Sequence, residues 1–333
     1  MARGGKVVGI TATLPVEVLF AAGLVPSDLN NLFISDENPR KLVQDAEKAG
    51  LPENVCAWIK GIYSAVHKHR IKKVIGVTGG DCTNTRALLE LFQSEGVETF
   101  EFSYPYPRDV RRLKAEIERF CSALGTRLSE AEKWKRVLDP IRAKVHKLDR
   151  LTWKENKVTG WENYYYSVST SDFFGDPRTF EKEIDEVLSQ VKLREPLGES
   201  LRIALLGVPP ILVNFHDFLE ERGARVVLNE FSRQFSMPYP SRTIVQQYNL
   251  YTYPYDTVSR MRDCVAEVTR RRVDGVIHYV QNFCYRQIID RLVRNSFSVP
   301  VLTLYADKPG EVDAPTATRL EAFLEILRSR KEV

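Results

Sequence analysis

Short runs of apolar residues alternate along the chain with longer stretches in which apolar residues recur every three or four positions. Runs such as Lys73–Thr78 and Asp274–Val280 are rich in β-branched and aromatic residues, which is typical of buried parallel strands. Segments such as Cys284–Asn295 carry apolar residues at helical spacing, and we predict that they form helices. Strand and helix follow one another in this way near both ends of the chain. The pattern therefore predicts parallel sheets covered by helices.

A long charged stretch separates the two alternating regions. Asp109–Arg150 and Pro177–Leu193 have amphipathic helical spacing, whereas Pro26–Glu37 is rich in Pro, Asn, Asp and Ser and predicts a loop. The predicted fold class is α/β, with two doubly wound parallel-sheet (Rossmann/flavodoxin-like) domains. We place the first domain at residues 1–107, a helical insertion at 108–199 and the second domain at 200–333.

Composition narrows the class of protein. Lys and Arg number 48 against 44 Asp and Glu, and a net charge of +4 argues against nucleic acid as the main partner. Five cysteines in 333 residues are too few for a secreted disulfide framework. The sequence contains neither a signal-peptide core nor an apolar run long enough for a membrane span. We therefore expect a cytoplasmic protein that binds neither membrane nor nucleic acid.

Three of the cysteines lie where chemistry is expected. Cys82 and Cys284 each lie four residues after a predicted strand, and Cys56 is near the start of a predicted helix. Loops at the carboxyl ends of parallel strands usually form the ligand crevice, and helix starts favour negative charge, including thiolate. A single cysteine is more often a small buried apolar residue, and Cys121 and Cys264, within charged amphipathic helices, fit that role.

Two facing α/β domains would bring their loops together across a cleft. Thiolates from both could then bind one cluster, and three thiolates on a four-iron cluster would leave one iron for substrate. We expect the sulfur atoms of such a set to lie within about 7 Å of one another.

Thr78–Asp81 lacks the spacing of a nucleotide-binding loop. A group of arginines in the second domain is expected to form a solvated helix face rather than a phosphate site: Arg260, Arg262, Arg270, Arg271 and Arg272.

The chain resembles a known family, the 2-hydroxyacyl-CoA dehydratase D-component family, which includes 2-hydroxyglutaryl-CoA dehydratase and benzoyl-CoA reductase subunits. The resemblance spans nearly the whole chain. It is clearest at Val8–Thr11, Pro15–Val25, Cys56 with Lys60-Gly61, Gly80-Asp-Cys82, Gln281-Asn-Phe-Cys284 and Asp307–Gly310. It implies a [4Fe-4S] cluster held by Cys56, Cys82 and Cys284 between the α/β domains.

The resemblance also implies a reaction. In such a lyase, one electron added to a 2-hydroxyacyl-CoA thioester gives a ketyl radical, which expels the hydroxyl group and acidifies the β-proton. A separate ATP-hydrolysing iron–sulfur activator supplies the electron under anaerobic conditions. The chain is expected to pair with a related second subunit or with a second copy of itself. We expect the acyl-CoA to enter between the Gly79-Gly80 and Gln281–Phe283 loops.

Two other functions stay open. Some relatives are ATP-coupled low-potential electron-transfer proteins or reductases with a double cubane cluster, which would need further thiolates such as Cys121 or Cys264. The chain could also be a non-catalytic partner subunit. The sequence leaves the acyl group, the proton-transfer residue and the oligomeric state undetermined.

Overall fold

Two parallel sheets organise the computed structural model, which describes residues 6–198 and 200–331. The first sheet contains β1 (Lys6–Ile10), β2 (Leu24–Asp28), β3 (Lys73–Gly79) and β4 (Glu98–Ser103), in the order β2-β1-β3-β4. The second contains β5 (Leu201–Gly207), β6 (Ala224–Asn229), β7 (Gly275–Val280) and β8 (Val301–Tyr305), in the equivalent order β6-β5-β7-β8. All strand pairings are parallel. The predicted α/β fold with two parallel-sheet domains is confirmed.

The helices lie in three groups along the chain. The first group is α1 (Val16–Ala21), α2 (Leu29–Ile34), α3 (Pro39–Lys48), α4 (Ala57–Lys68) and α5 (Thr85–Ser94). The second is α6 (Val110–Ala123), α7 (Leu128–Trp153), α8 (Gly160–Val168) and α9 (Pro177–Lys192). The third is α10 (Phe215–Glu220), α11 (Glu230–Phe235), α12 (Ile244–Leu250), α13 (Thr257–Arg270), α14 (Asp290–Ser296) and α15 (Ala314–Lys331). Among residues 6–198 and 200–331, no helix is both long and apolar enough to cross a membrane.

The middle helices pack against both halves of the chain. Helix α7 contacts α1, whereas α8 contacts β6 and α11. Glu17 of α1 is buried and pairs with Arg142 of α7 at 2.8 Å, while the Tyr248 hydroxyl of α12 donates to the same carboxylate at 2.8 Å. Removing one partner of such a buried pair typically costs about 3–5 kcal/mol. The network thus ties the two sheet regions together, while the domain boundaries remain a prediction.

The predicted loop at Pro26–Glu37 is wrong, because this segment contains the end of β2 and helix α2. Pro26 pairs with Val8 of β1, and β2 is at the edge of its sheet. An edge strand tolerates proline because its missing N–H need not serve a further strand. Asp28 then ends β2 and caps α2, its side chain accepting from the Asn30 N–H at 2.9 Å.

The predicted solvated arginine face of α13 is also wrong in part. Arg260 and Arg271 are almost completely buried, at 1% and 0% exposure. Arg260 pairs with Glu230, and Arg271 lies 2.7 Å from Asp149 and 2.8 Å from Glu267. Glu267 is four residues before Arg271 at the end of the same helix, whereas Glu230 and Asp149 come from other segments, and local charge pattern gives no sign of those two. Buried arginine is tolerated here because each guanidinium is paired.

The segment after Cys284 departs from the predicted continuous helix. A 3₁₀ turn, Tyr285–Gln287, comes first, and α14 begins only at Asp290. The apolar side chains of Phe283, Ile288 and Leu292 are 68%, 84% and 52% exposed. Their spacing is helical, but they do not face the core of this chain.

Candidate functional site: a cavity lined by three cysteines

Cys56, Cys82 and Cys284 line one cavity of about 110 Å³. Cys56 is the residue preceding α4, Cys82 lies between β3 and α5, and Cys284 lies between β7 and its 3₁₀ turn. The same cavity is bordered by residues that follow strands of both sheets, including Thr11 after β1 and Val208 after β5. The structure therefore brings the three cysteines to the carboxyl ends of both sheets, where ligands bind in open α/β folds.

The backbone around these cysteines is tightly constrained. Gly80 has φ +90°, and a Cβ atom there would lie 2.6 Å from the Pro254 carbonyl oxygen. Only glycine fits this conformation and this close approach. Phe283 has φ +62°, which is costly for a residue with a side chain and is common at functional sites. The Gly-Gly pair thus allows the cysteine loop to pack against the second half of the chain.

Burial keeps the three thiols protonated. It raises the pKa of Cys56 to about 11 and that of Cys82 to about 12, and it raises the pKa of Cys284. The backbone N–H groups of Trp58, Asn84 and Arg286, each two residues after a cysteine, oppose this shift. The N–H groups thus favour thiolate as expected, but desolvation outweighs them, so the pKa of each thiol is raised in the protein without a bound cation.

Polar groups without partners surround the thiols. The Cys56 thiol donates to Gln281 Oε1 at 2.8 Å, while the amide nitrogen of Gln281 is buried and makes no hydrogen bond in the described part of the chain. Thr13, which borders the cavity, has a buried hydroxyl with no partner there either. Buried polar groups are normally satisfied, so a bound group is expected nearby.

Arg286 places a buried positive charge at the cavity. It is 4% exposed, its guanidinium lies 4.1 Å from the Tyr253 ring centre, and it donates to the Tyr253 carbonyl at 3.5 Å. Within residues 6–198 and 200–331, no carboxylate lies within salt-bridge distance of it. Burial raises the pKa of nearby Asp81, and the charge of Arg286 opposes that rise. Arg286 can therefore stabilise an anion in the cavity.

Two buried carboxyl groups meet at the cavity wall. Asp28 borders the cavity, and its backbone N–H donates to Asp172 Oδ2 at 2.8 Å. Burial, and then the neighbouring charge of Asp28, raise the pKa of Asp172 to about 7, and burial raises the pKa of Asp28. A carboxyl group that titrates near neutral pH can accept and return a proton.

Two larger grooves adjoin the cavity. One, of about 540 Å³, shares Cys56 with it and is bordered by three cations, Arg40, Lys60 and Lys308, and by three carboxylates, Glu47, Glu53 and Asp307. Lys60 pairs with Glu47 at 2.6 Å, while Arg40 and Lys308 have no carboxylate partner among the described residues. We call it the charged groove. The other, of about 580 Å³, shares Asp28 with the cavity and is largely apolar. We call it the apolar groove.

Three thiols that line one cavity are the type of donor that holds iron–sulfur clusters. Among the described residues, no three His, Cys, Asp or Glu side chains converge closely enough to hold one metal ion. Each thiolate of a cubane binds a different iron, so its ligand set is wider. Iron would supply the positive charge that ionises the three buried thiols. Cluster binding by Cys56, Cys82 and Cys284 stays a prediction.

The other two cysteines lie elsewhere. Cys121 in α6 and Cys264 in α13 are 2% and 1% exposed, and neither is among the described residues that border the cavity. Burial raises the pKa of Cys121 to about 11 and raises that of Cys264 well above its ordinary value. Their surroundings fit the packing role expected of them.

Sequence reasoning missed several residues of the site. Asp28 was assigned to a loop, and Asp172 lies 144 positions away from it. Arg286 follows Cys284 by two residues, and that proximity is the only signal that could have indicated it. The ring of Tyr253 packs against the guanidinium of Arg286, and no sequence motif around Tyr253 indicates this contact.

Fold and site together define an α/β protein with two parallel sheets and a cysteine-lined cavity at their carboxyl ends. The chain belongs to the 2-hydroxyglutaryl-CoA dehydratase D-component family, whose model matches residues 11–327. It is thus a 2-hydroxyacyl-CoA dehydratase-like subunit of a dehydratase family. No curated protein matches the chain significantly. Among solved structures, the SBP FpvC from Pseudomonas aeruginosa in complex with Mn²⁺ is 12% identical, with a TM-score of 0.23, over 98% of this chain and 99% of that chain. That likeness is too weak to support an assignment.

Proposed function

We propose that the chain is the iron–sulfur subunit of a 2-hydroxyacyl-CoA dehydratase and holds a [4Fe-4S] cluster through Cys56, Cys82 and Cys284. The observation that carries the proposal is that these three cysteines, from sequence-distant loops, line one cavity at the carboxyl ends of both sheets. Membership of a dehydratase component family supports the reaction class.

When bound, the cluster would supply the single low-potential electron that makes a substrate ketyl radical, from which the hydroxyl group leaves. The chain's own residues have separate tasks. Buried Arg286 would stabilise negative charge on the thioester oxygen. Asp28, at the cavity wall, would accept the β-proton, and Asp172 beside it would help to hold that proton. The enclosed cavity would exclude water from the reacting atoms.

The charged groove supports a CoA thioester as the substrate through two of its cations, while Lys60 is paired with Glu47. Arg40 and Lys308 are exposed cations that border this groove, which reaches the cavity at Cys56. Their charges would attract the phosphates of CoA, with the pantetheine arm directed toward the cysteines. The groove also contains Phe283, at the loop through which we expected substrate to enter.

Partner proteins are part of the proposal. The D-component family implies a further component, and the chain would receive its electron from an ATP-hydrolysing iron–sulfur activator. Three large apolar side chains, Phe283, Ile288 and Leu292, are more than half exposed in the segment that contains Cys284. Exposed apolar groups clustered in one segment are typical of a surface that another protein covers. A related subunit or a second copy of the chain would fit.

A low-potential electron-transfer protein or reductase is the second candidate. The cysteine cavity measures only about 110 Å³, which favours electrons or a small molecule over a large substrate. In that case the grooves would play no part in the reaction.

Anaerobic titration with a 2-hydroxyacyl-CoA separates the two candidates. The dehydratase proposal predicts a change in the EPR or absorption spectrum of the reduced cluster on binding. It also predicts that the unsaturated acyl-CoA forms once activator and ATP are added. An intact, reducible cluster that responds to no acyl-CoA would favour electron transfer.

A further inference from the structure

We infer that the apolar groove receives the acyl chain of the substrate and selects uncharged, bulky acyl groups, aromatic ones above all. This inference rests on the proposed function, and it names the substrate class that the proposal leaves open.

The apolar groove adjoins the cysteine cavity. Asp28, Asn31, Tyr164 and Val168 border both spaces. A thioester at the cysteines would therefore have its acyl chain directed past Asp28 into this groove. The charged groove borders the same cavity at Cys56, so CoA and the acyl chain would occupy different grooves.

The walls of the apolar groove suit an apolar chain. They include the side chains of Trp161, Tyr165 and Phe174, together with Val7 from the first sheet and Val213 from the second half. Trp161 and Tyr165 are 41% and 37% exposed, and the two valines are 51% and 46% exposed. A volume of about 580 Å³ is ample for an aryl group. Apolar surface left open beside a reaction centre is typical of a ligand site.

The charge of the groove argues against acidic acyl groups. Among the described residues that border the apolar groove there is no Lys, Arg or His, whereas Asp28 and Asp172 both border it. A carboxylate at the end of the acyl chain would lose water without gaining a cation and would face two carboxyl groups. A dicarboxylic acyl group is therefore disfavoured, although the chain's family is described by the glutaryl substrate.

Three CoA thioesters test the inference by calorimetric titration of the anaerobic full-length protein. The probes are 2-hydroxy-3-phenylpropanoyl-CoA, 2-hydroxyglutaryl-CoA and hydroxyacetyl-CoA, the last having almost no acyl chain. Burying a phenyl ring should tighten binding at least tenfold relative to hydroxyacetyl-CoA. The glutaryl thioester should bind no better than hydroxyacetyl-CoA.

A pair of matched variants locates the acyl chain. Val213→Trp should weaken binding of the phenyl thioester about tenfold and leave hydroxyacetyl-CoA unchanged, because the new ring would fill the groove. Val137→Trp makes the same exchange at a valine of similar exposure (51%) in α7, outside the groove, and should change neither affinity. If Val213→Trp fails to fold, Val7→Trp fills the groove from β1.

The possible failures are distinguishable. If glutaryl and phenyl thioesters bind equally well, or if Val213→Trp weakens all three probes alike, the acyl-chain assignment is overturned while acyl-CoA binding stands. If none of the three thioesters binds, the proposed function and this inference both fail.

Discussion

The buried carboxyl of Asp172 leads to a pH dependence of stability that can be measured directly. Its side chain is 7% exposed and accepts from the N–H groups of Asp28 and Phe174. Asp28 is the charged group that faces it, and both burial and that charge raise its pKa from 3.8 to about 7. Ionisation therefore costs more in the folded protein than in the unfolded chain.

The sign and size of the effect follow from this shift. Below pH 3.8 the group is neutral in both states. As pH rises toward 7, the unfolded chain ionises first, so the free energy of unfolding falls by about 1.4 kcal/mol per pH unit. Above pH 7 the loss is complete, at about 4 kcal/mol. Asp172→Asn removes the titration, together with one hydrogen bond to a backbone N–H, at a pH-independent cost of about 1–3 kcal/mol.

Urea unfolding at pH 5, 6, 7 and 8 compares the two proteins. We expect the free energy of unfolding of the wild type, relative to Asp172→Asn, to fall by about 2.5 kcal/mol between pH 5 and pH 8. Asp176→Asn is the control, because hydrogen bonding by Thr179 lowers the pKa of Asp176 and its contribution is complete above pH 5. Parallel pH curves for wild type and Asp172→Asn would refute the reasoning.

Two further predictions follow from burial. In metal-free protein at pH 8, Cys56 and Cys82 should react with a thiol reagent far more slowly than free cysteine, because their pKa values are about 11 and 12. The reaction rate should rise with pH. Fast reaction at pH 8 would show accessible thiolates and contradict this prediction. Glu230→Gln should lower the free energy of unfolding by about 3–5 kcal/mol, because it leaves Arg260 buried without a charged partner. The exposed Glu118→Gln should cost less than about 1 kcal/mol, and an equal effect of both changes would contradict the burial argument.

Much of the fold could be read from local sequence because strands and helices repeat in a regular order. The run that became β7 is buried at every position, as an unbroken apolar strand should be. Pro15 directly precedes α1, and Asp176 with Pro177 begins α9. These signals act within a few residues, so a single sequence carries them.

The rest depends on distant contacts. Pro26 is compatible with β2 only because that strand is at a sheet edge, which local composition does not reveal. The spacing of Ile288 and Leu292 predicted a helix, yet periodicity does not say whether its apolar face meets this chain or another molecule. The cysteine positions were predictable from strand ends. Their raised pKa values were not, because desolvation depends on the whole surrounding structure.

The central claim is that three cysteines of this chain hold one cluster, and iron and sulfide analysis with EPR on anaerobically purified protein tests it most directly. The account predicts about four iron and four sulfide per chain, with the EPR signal of a reduced cubane. Cys284→Ser should lower the iron content, whereas Cys264→Ser, in the buried face of α13, should leave it unchanged. Protein that stays free of iron after anaerobic reconstitution, or equal iron loss in both variants, would contradict the account.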